Sequence, residues 1–600
     1  MSSENGVGEG GAEGAPPEQL ALIRESVRKA KEPRAKPRTW RGAALAERLP
    51  VARVLVDKGV LHLDRYFDYA VPADLDADAQ PGVRVRVRFG AGRGRVREGR
   101  REGGGLIDGF LIERLPESDY SGPLAALAQV VSPERVLSPE LLGLARAVAD
   151  RYAGSLADVL QLAVRRGSVR AVVGTRAAMF APVQDLGLVA LWDDGDDSHS
   201  EPHAPQPHAR DVLLLRAAQD GCGFLLGGWS CTVEAAQLVE SGWARPLVAG
   251  REQVRRAAPL VRTVGDLDLA RDEAARAARL PTLAWQVVRD ALRQGPVLVQ
   301  VPRRGYVPRT ACARCRAAAR CRHCSGPLEA RDGGALACGW CGRAETGWSC
   351  PECGSVRLRA QVVGARRTAE ELGRAFPAVP VRTSGREHVL DTVPAAPALV
   401  VSTPGAEPVA EGGYAAALLL DGWAMLARPD LRAGEDALRR WIAAAALVRP
   451  QEAGGTVVAL AEPTLRPVQA LVRWDPVGHA VRELAERAEL GFPPVSRMAA
   501  VSGPRDAVIT FLDAVELPAE AEVLGPVPLS VTPAGSPRRT GAPPPGEHWD
   551  RALVRVPPGR GAALASALKA AQAARMARGG SGGAGTAEAV RVRIDPPDIG

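Results

Sequence analysis

Eight of the ten cysteines fall between Cys312 and Cys353 as four Cys-x2-Cys pairs: Cys312 with Cys315, Cys321 with Cys324, Cys338 with Cys341, and Cys350 with Cys353. Such a knuckle lets two thiolates bind one tetrahedral zinc ion while turn N–H groups hydrogen-bond the sulfurs. Four knuckles make two sites of four thiolates each, closed to water and therefore structural rather than catalytic. Gly342 and Gly354, each just after a pair, ease the tight backbone. Iron–sulfur ligation is the chemical rival, but pairs spread among Gly, Trp and Arg fit zinc ribbons better than a ferredoxin run. His323 lies inside the second knuckle and reads as a surface residue; Cys222 and Cys231 stand apart and read as small core hydrophobes. Cysteines used this way point to a reducing cytoplasm and not to a disulfide framework.

The elements that must hold this module form an α/β pattern. From about Arg170 the runs VRAVVG, GLVALW, GFLLGG, PVLVQVP, ALVVSTP and AALLLD read as buried parallel strands, and TAEELGRAF and EDALRRWIAAAAL as helices between them. Upstream, VARVLVD and GVRVRVRFG alternate apolar and polar residues, with Pro81-Gly82 turning the chain before the second. They predict a small β domain to about Pro116. Ser138 is the expected N-cap, and Pro139 the first residue, of an amphipathic helix. An α+β segment follows from about Asp475, interrupted by the Pro/Gly-rich stretch 533–547 and the Gly/Ser run 579–585.

Six hundred residues exceed a single core, and apolar and charged contents of 46% and 24% are those of an ordinary globular chain. No apolar run is long enough for a membrane span, and the N-terminus, without a basic start and apolar stretch, does not read as a secretory signal. A net charge of +8 suits a polyanionic partner. Residues 1–49 read as a disordered tail, basic from Arg24 to Arg41.

The stretch RRGYVPRTACARC…CRHC…CGWCG…CPECGS, with Arg303-Arg304-Gly305-Tyr306-x-Pro308 ahead of the cysteines, resembles the zinc-binding region of the PriA family of replication-restart helicases. The resemblance extends over most of the chain after residue 50. Phe67-Asp68-Tyr69 and Pro81-Gly82-x-Arg84-Val85 through Phe89-Gly90 are similar to that family's N-terminal DNA-binding domain, whose pocket takes the 3′ end of the nascent leading strand. The match implies Phe67, Asp68, Tyr69 and Gly90 as pocket residues: an aromatic to stack on a base, a carboxylate and backbone groups to meet base or sugar edges. A lysine of the family's pocket falls near Ala125. Gly174-Thr175-Arg176 and Phe180-Ala181-Pro182 resemble the strand and turn ahead of the family's Walker B segment. Pro429 to Glu435 resembles the block before helicase motif VI. Trp474-Asp475-Pro476, the Arg487–Pro494 block and Arg593-Ile594-Asp595-Pro596 resemble the C-terminal domain. The resemblance also implies nested zinc sites, the outer knuckles (312/315 with 350/353) enclosing the inner ones (321/324 with 338/341).

The expected architecture is multidomain α/β. It comprises a tail (1–49), a 3′-end DNA-binding domain (50–118) and a helical, winged-helix-like segment (119–168). Then come degenerate RecA-like helicase lobes (169–300 and 301–474, with a double zinc module at 310–356 in the second) and a C-terminal α+β domain (475–600).

The family's nucleotide site does not carry over. A P-loop needs Gly-Lys-Ser/Thr, and none of the five lysines (Lys29, Lys31, Lys36, Lys58, Lys569) follows a glycine. The Asp-Glu-Glu-His positions read Trp192-Asp193-Asp194-Gly195, motif III reads Gly228-Trp229-Ser230-Cys231, and the Gly-Arg pair of motif VI is Ala446-Leu447. The acidic run Asp193–Asp197 is then expected to be a solvated loop, and Trp192, Trp229 and the Ala443–Val448 run to fill a vacated site with apolar groups. The expectation is a protein that binds branched DNA at stalled or abandoned forks, carries two zinc ions, does not use ATP and is not an enzyme. It would promote primosome assembly and reloading of the replicative helicase in the cytoplasm at the nucleoid. The resemblance names primosome proteins, the replicative helicase and single-strand-binding protein as partners. Two alternatives stay open: an active helicase with a cryptic nucleotide site, and a zinc-ribbon scaffold of the primosome without fork preference.

Overall fold

In a computed structural model the described residues are 39–40, 43–89, 96–97, 100–101, 105–163, 170–264, 280–302, 310–314, 319–323, 328–330, 336–338, 343–360, 365–426, 430–529, 549–579, 590–597 and 599. Residues 1–38, Gly90, Cys315, Cys324, Cys341 and Gly342 lie outside them, and the expected disordered tail does not reach residue 49: Thr39–Trp40 pairs antiparallel with Ala43–Ala44, and Ala46 is buried in the core of the β domain, where its N–H donates to Val71 O at 3.0 Å. The chain divides into two compact units, residues 1–57 with 65–137, and 58–64 with 138–600. Among the described residues no helix is long and apolar enough to cross a membrane.

The first unit is a five-stranded antiparallel sheet. Its strands run Tyr66–Ala70, Val51–Val56, Gly105–Leu115, Arg84–Phe89 and Gln129–Ser132 in spatial order. The alternation in the sequence sets the faces: Val85 and Val87 are buried with Val54, Val56, Tyr69 and Leu111, while Arg84, Arg86 and Arg88 point the other way. The sheet overruns the expected boundary at 118. Gln129–Ser132 pairs with Arg84–Arg86, because a strand of four residues completes an edge too short to register as a pattern.

In the second unit Ser138 caps the helix Pro139–Arg151, accepting a hydrogen bond from Leu141 N, with Pro139 at the first position. The largest sheet is six-stranded and parallel, in the order Leu260–Thr263, Thr456–Ala459, Ala416–Leu419, Val297–Gln300, Leu399–Ser402, Val381–Ser384. Its inner strands are buried on both faces, as runs such as VLVQ and AALL require. The strands Leu260–Thr263 and Val297–Gln300, expected in the first lobe, belong to this sheet. What stays apart is small: two parallel strands, Leu188–Trp192 and Gly223–Gly227, with the helices Ala209–Asp220 and Val233–Glu240. VRAVVG forms no strand over its described residues, Val173 being fully exposed, and Arg176–Phe180 is a short 3-10 helix. An apolar run without a neighbour to pair with gains nothing by extending.

The cysteine-rich insert leaves the sheet after Val297–Gln300 and returns before the helix Ala365–Ala375. Thr310–Cys312 pairs antiparallel with Leu358–Ala360, closing its base. The C-terminal part is a four-stranded antiparallel sheet, Glu522–Pro528, Asp550–Val556, Arg497–Gly503, Arg591–Ile594, with the helices Arg505–Asp513 and Gly561–Gly579. This is the α+β segment expected.

Candidate functional site

Three thiols of the insert meet. The sulfurs of Cys312, Cys350 and Cys353 lie within 4.8 Å of one another, and Cys312 Sγ and Cys353 Sγ are 3.5 Å apart. A tetrahedron with zinc–sulfur bonds of about 2.3 Å has edges of about 3.8 Å, so the triad fits such an ion. The knuckle hydrogen bonds are present too: Arg314 N donates to Cys312 Sγ and His323 N to Cys321 Sγ, each at 3.4 Å. Gly354 sits at φ +68°, the left-handed conformation the turn after Cys353 demands. Cys312, Cys321, Cys338 and Cys350 are buried around Leu328 and Trp348. His323 is exposed. Cys222 and Cys231 are half-buried; Cys231 packs against the buried cluster of Val233, Ala236, Ala480 and Leu484, as a small hydrophobe would, while Cys222 lies just ahead of the strand Gly223–Gly227.

In the first unit, strand alternation separates the predicted pocket residues. Phe67 and Tyr69 face the core: the Phe67 ring meets Phe89 edge-on at 4.8 Å under the Arg65 guanidinium, and the buried Tyr69 hydroxyl donates to Arg88 O at 3.3 Å. Burial pushes the Tyr69 phenol up to about 12. Asp68 faces the opposite way, where its carboxylate accepts from Arg53 Nε at 3.2 Å and from Ser118 Oγ at 2.7 Å. Ala125, where the resemblance puts a lysine, accepts from Ala70 N at 2.8 Å and so lies beside this strand.

The loop after Leu188–Trp192 is not the solvated acidic run expected. Asp194 is buried, accepting from Arg210 Nη1 at 2.9 Å and Thr232 Oγ1 at 2.8 Å. Asp193 takes Arg439 Nη1 at 2.6 Å, and Asp196 takes the same nitrogen at 3.3 Å. Asp196 is partly desolvated, yet the Ser198 hydroxyl and N–H together with Arg439 hold its carboxyl below the usual range. Gly195 lets Arg439 approach closely: a Cβ there would stand 2.9 Å from Arg439 Cδ and 3.1 Å from Thr232 Cγ2, so the arginine would have to shift. The sequence shows the carboxylates but not their cations, which come from Arg210 and from the distant helix Ala433–Ala445.

That network continues inward. Arg432 pairs with Glu234, and Arg487, almost wholly buried, donates to Glu435 Oε2 at 3.0 Å. Two blocks singled out in the sequence, Pro429–Glu435 and Arg487–Pro494, therefore meet. Burial pushes the Glu435 carboxyl up, against the pull of Arg432 and Arg487 and with Glu234 close by. Breaking a buried pair leaves an uncompensated charge, so Arg487→Met is expected to destabilise the second unit by about 3–5 kcal/mol. Adding Glu435→Gln should recover most of the loss in urea unfolding; additive losses would contradict the pairing.

Trp192 and Trp229 do not fill a vacated interior. They are 59% and 53% exposed and meet edge-on at 6.1 Å on the open face of the two-stranded sheet. The Ala443–Val448 run, by contrast, does pack: Ala444, Ala445 and Val448 lie in the core of the large sheet with Trp441 and Tyr414, and Leu447 rests against it.

Comparison with known proteins sets this geometry beside relatives. The domain family described as 3′DNA-binding domain (3′BD) matches residues 53–165, and that described as Primosomal protein N C-terminal domain matches residues 488–597. The chain is 44% identical to a protein of Mycobacterium tuberculosis (strain ATCC 25618 / H37Rv) named "Probable replication restart protein PriA", over 90% of this chain and the whole of that one. A protein of the same name from Mycobacterium leprae (strain TN) is 53% identical over 73% of this chain and 67% of its own length. "Replication restart protein PriA" of Bacillus subtilis (strain 168) is 25% identical over 56% of this chain and 44% of its own length. The first alignment runs over 672 positions, more than this chain's 600 residues, so that relative carries stretches with no counterpart here.

Proposed function

We propose that this chain, which belongs to the PriA family of replication restart proteins, binds stalled or abandoned forks and promotes primosome assembly and reloading of the replicative helicase without being a motor itself. The observation that carries the last clause is the fate of the acidic loop. Where a helicase of this family would present carboxylates to magnesium, Asp193 and Asp194 are engaged by Arg439 and Arg210. The pairing of Arg439 with Asp193 and Asp196 ties the small two-stranded sheet to the helix Ala433–Ala445, whereas a motor of two lobes works by moving one against the other.

Fork recognition rests on the first unit. We assign Phe67, Asp68, Tyr69 and Gly90 to the 3′-end pocket. In this arrangement Asp68 is a carboxylate on the outer sheet face that would take a hydrogen bond from a terminal hydroxyl, with Arg53 holding it in place. Phe67 and Tyr69 shape the strand from beneath. Phe67→Ala and Asp68→Ala are expected to reduce the preference for forks with a leading-strand 3′-OH while leaving most non-specific affinity. Competition binding between forks with and without that end checks this. If both variants lose all DNA binding equally, or neither changes the preference, the assignment is wrong.

The insert would hold two zinc ions, one on Cys312, Cys315, Cys350 and Cys353, the other on Cys321, Cys324, Cys338 and Cys341. The triad of Cys312, Cys350 and Cys353 supports the outer set. All ligands being thiolates, the metal supplies rigidity and no reaction step. The insert is then the element placed to contact a partner protein or strand. Replicative helicase and single-strand-binding protein are the partners this reading names.

A further inference from the structure

The two aromatic rings named for the 3′-end pocket are already engaged. Tyr69 is 4% exposed and its hydroxyl donates to Arg88 O. Phe67 is half-buried, with Phe89 packed edge-on and the Arg65 guanidinium 5.0 Å over its ring. A base arriving at Asp68 finds no free face on either.

Another ring stands free beside that carboxylate. After the strand Gly105–Leu115 the chain runs back along Tyr66–Ala70, where Ala70 N donates to Ala125 O at 2.8 Å and Leu127 N to Ala70 O at 2.9 Å. The start of this segment is strapped to the outer sheet face twice. Ser118 Oγ donates to Asp68 Oδ2 at 2.7 Å, and Asp119 pairs with Arg53 Nη2 at 3.4 Å. Tyr120 comes next, and its N–H donates at 3.1 Å to the same Ser118 oxygen that holds Asp68. The side chain is 64% exposed, and no aromatic or cationic group among the described residues covers its ring. It lies against Gly122, where a Cβ would stand 2.6 Å from Cε1, Cζ and Oη of the tyrosine, so a larger residue there would push the ring away.

We propose that Tyr120 is the platform on which the 3′-terminal base stacks while Asp68 takes the hydroxyl of the same nucleotide. This rests on the assignment of Asp68 to the 3′-end pocket and adds the base contact to it. Two arguments carry it. Asp68, Glu113 and Asp119 surround the single guanidinium of Arg53, so phosphate attraction does not hold a strand end here and the affinity must come from uncharged contacts. Stacking on a ring is such a contact, and it accepts any terminal base because every base has a π-face.

The test is competition anisotropy with the full chain on three forks: one with a leading-strand 3′ end at the junction, one without, and one whose 3′-terminal nucleotide is abasic but keeps its hydroxyl. The abasic end should weaken wild-type binding about tenfold, the worth of one base stacked on an aromatic side chain. Tyr120→Ala should weaken binding to the intact end by a similar factor and lose nothing more on the abasic end, as two changes to one contact require. Tyr120→Phe keeps the ring and should stay within twofold of wild type. Binding to the fork without an end should be unchanged in both. Tyr66→Ala is the control, because Tyr66 is also exposed on the face of Asp68 but is not joined to it through Ser118. Asp68→Ala separates the two readings: if it leaves the 3′-end preference intact, the pocket itself is misplaced. If Asp68→Ala loses the preference while Tyr120→Ala keeps it, the pocket stands and the stacking assignment falls. An abasic penalty that persists in Tyr120→Ala, a loss that Tyr66→Ala reproduces, or a Tyr120→Ala loss equal on the fork without an end would also overturn it.

Discussion

Purified protein given fork DNA, magnesium and ATP is expected to release no phosphate above background and to separate no strands. Phosphoryl transfer needs a phosphate cradle, a magnesium site and cationic stabilisation of the transferring group; an arginine finger alone is worth about a thousand- to a hundred-thousand-fold. Here no glycine precedes a lysine, Trp192 stands where the first carboxylate is expected, and Asp193 and Asp194 are bound to Arg439 and Arg210. Restoring one group should rescue nothing, because residues that act as a unit do not contribute independently. Leu447→Arg is therefore expected to stay inactive, and with Leu447 resting on the core of the large sheet it should also lose stability. Nucleotide should leave the Tm unchanged, since a ligand that does not bind the native state cannot stabilise it by mass action. A DNA-stimulated ATPase that a substitution in this chain abolishes would end this reading.

Loss of metal is the second large effect. Structural zinc contributes on the order of 10 kcal/mol of apparent folding free energy at a thiolate site. Among the described residues of the insert only a few apolar side chains pack around the sulfurs, Ala319, Leu328 and Trp348 the most buried, too small a core to hold them without the ion. Elemental analysis should find two zinc ions per chain. Cys338→Ser, or a chelator, should open the insert to proteolysis while the helix Ala433–Ala445 and the six-stranded sheet keep their protection from hydrogen exchange. One zinc ion per chain, or an iron chromophore, would contradict the two-site assignment.

The parts legible in the sequence are those set by local rules. Cys-x2-Cys spacing gives the knuckle, and the N–H···S contacts at Cys312 and Cys321 follow from the turn it makes. Alternation in RVRVRF gives the two faces of its strand, and VLVQ, LVVS and AALL are the inner strands of the parallel sheet that their apolar runs imply. Pairing over long separations is not legible. Asp193 and Arg439 are distant in sequence, so neither the neutralised acidic loop nor the buried Arg487–Glu435 pair leaves a local pattern. Nor does sequence separate Leu260–Thr263 from the first lobe, because an isolated strand does not say which sheet it joins. The tryptophans depart from expectation for a related reason. Filling a vacated site presumes a second wall, and the two-stranded sheet leaves Trp192 and Trp229 on an open face. The residues proposed for the pocket stand between these cases: the Phe67-Asp68-Tyr69 run locates the strand, but only the pairing with Val51–Val56 shows that Asp68 meets Arg53 while its neighbours turn to the core.

The most direct measurement is equilibrium binding of the full chain to two forks that differ only in whether the leading-strand 3′-OH reaches the junction, each titrated with and without ATP. The account predicts tighter binding to the fork with the 3′ end, a preference that Asp68→Ala reduces, and superimposable curves in the two nucleotide conditions. Equal affinity for both forks, or a preference that ATP creates or removes, would contradict it.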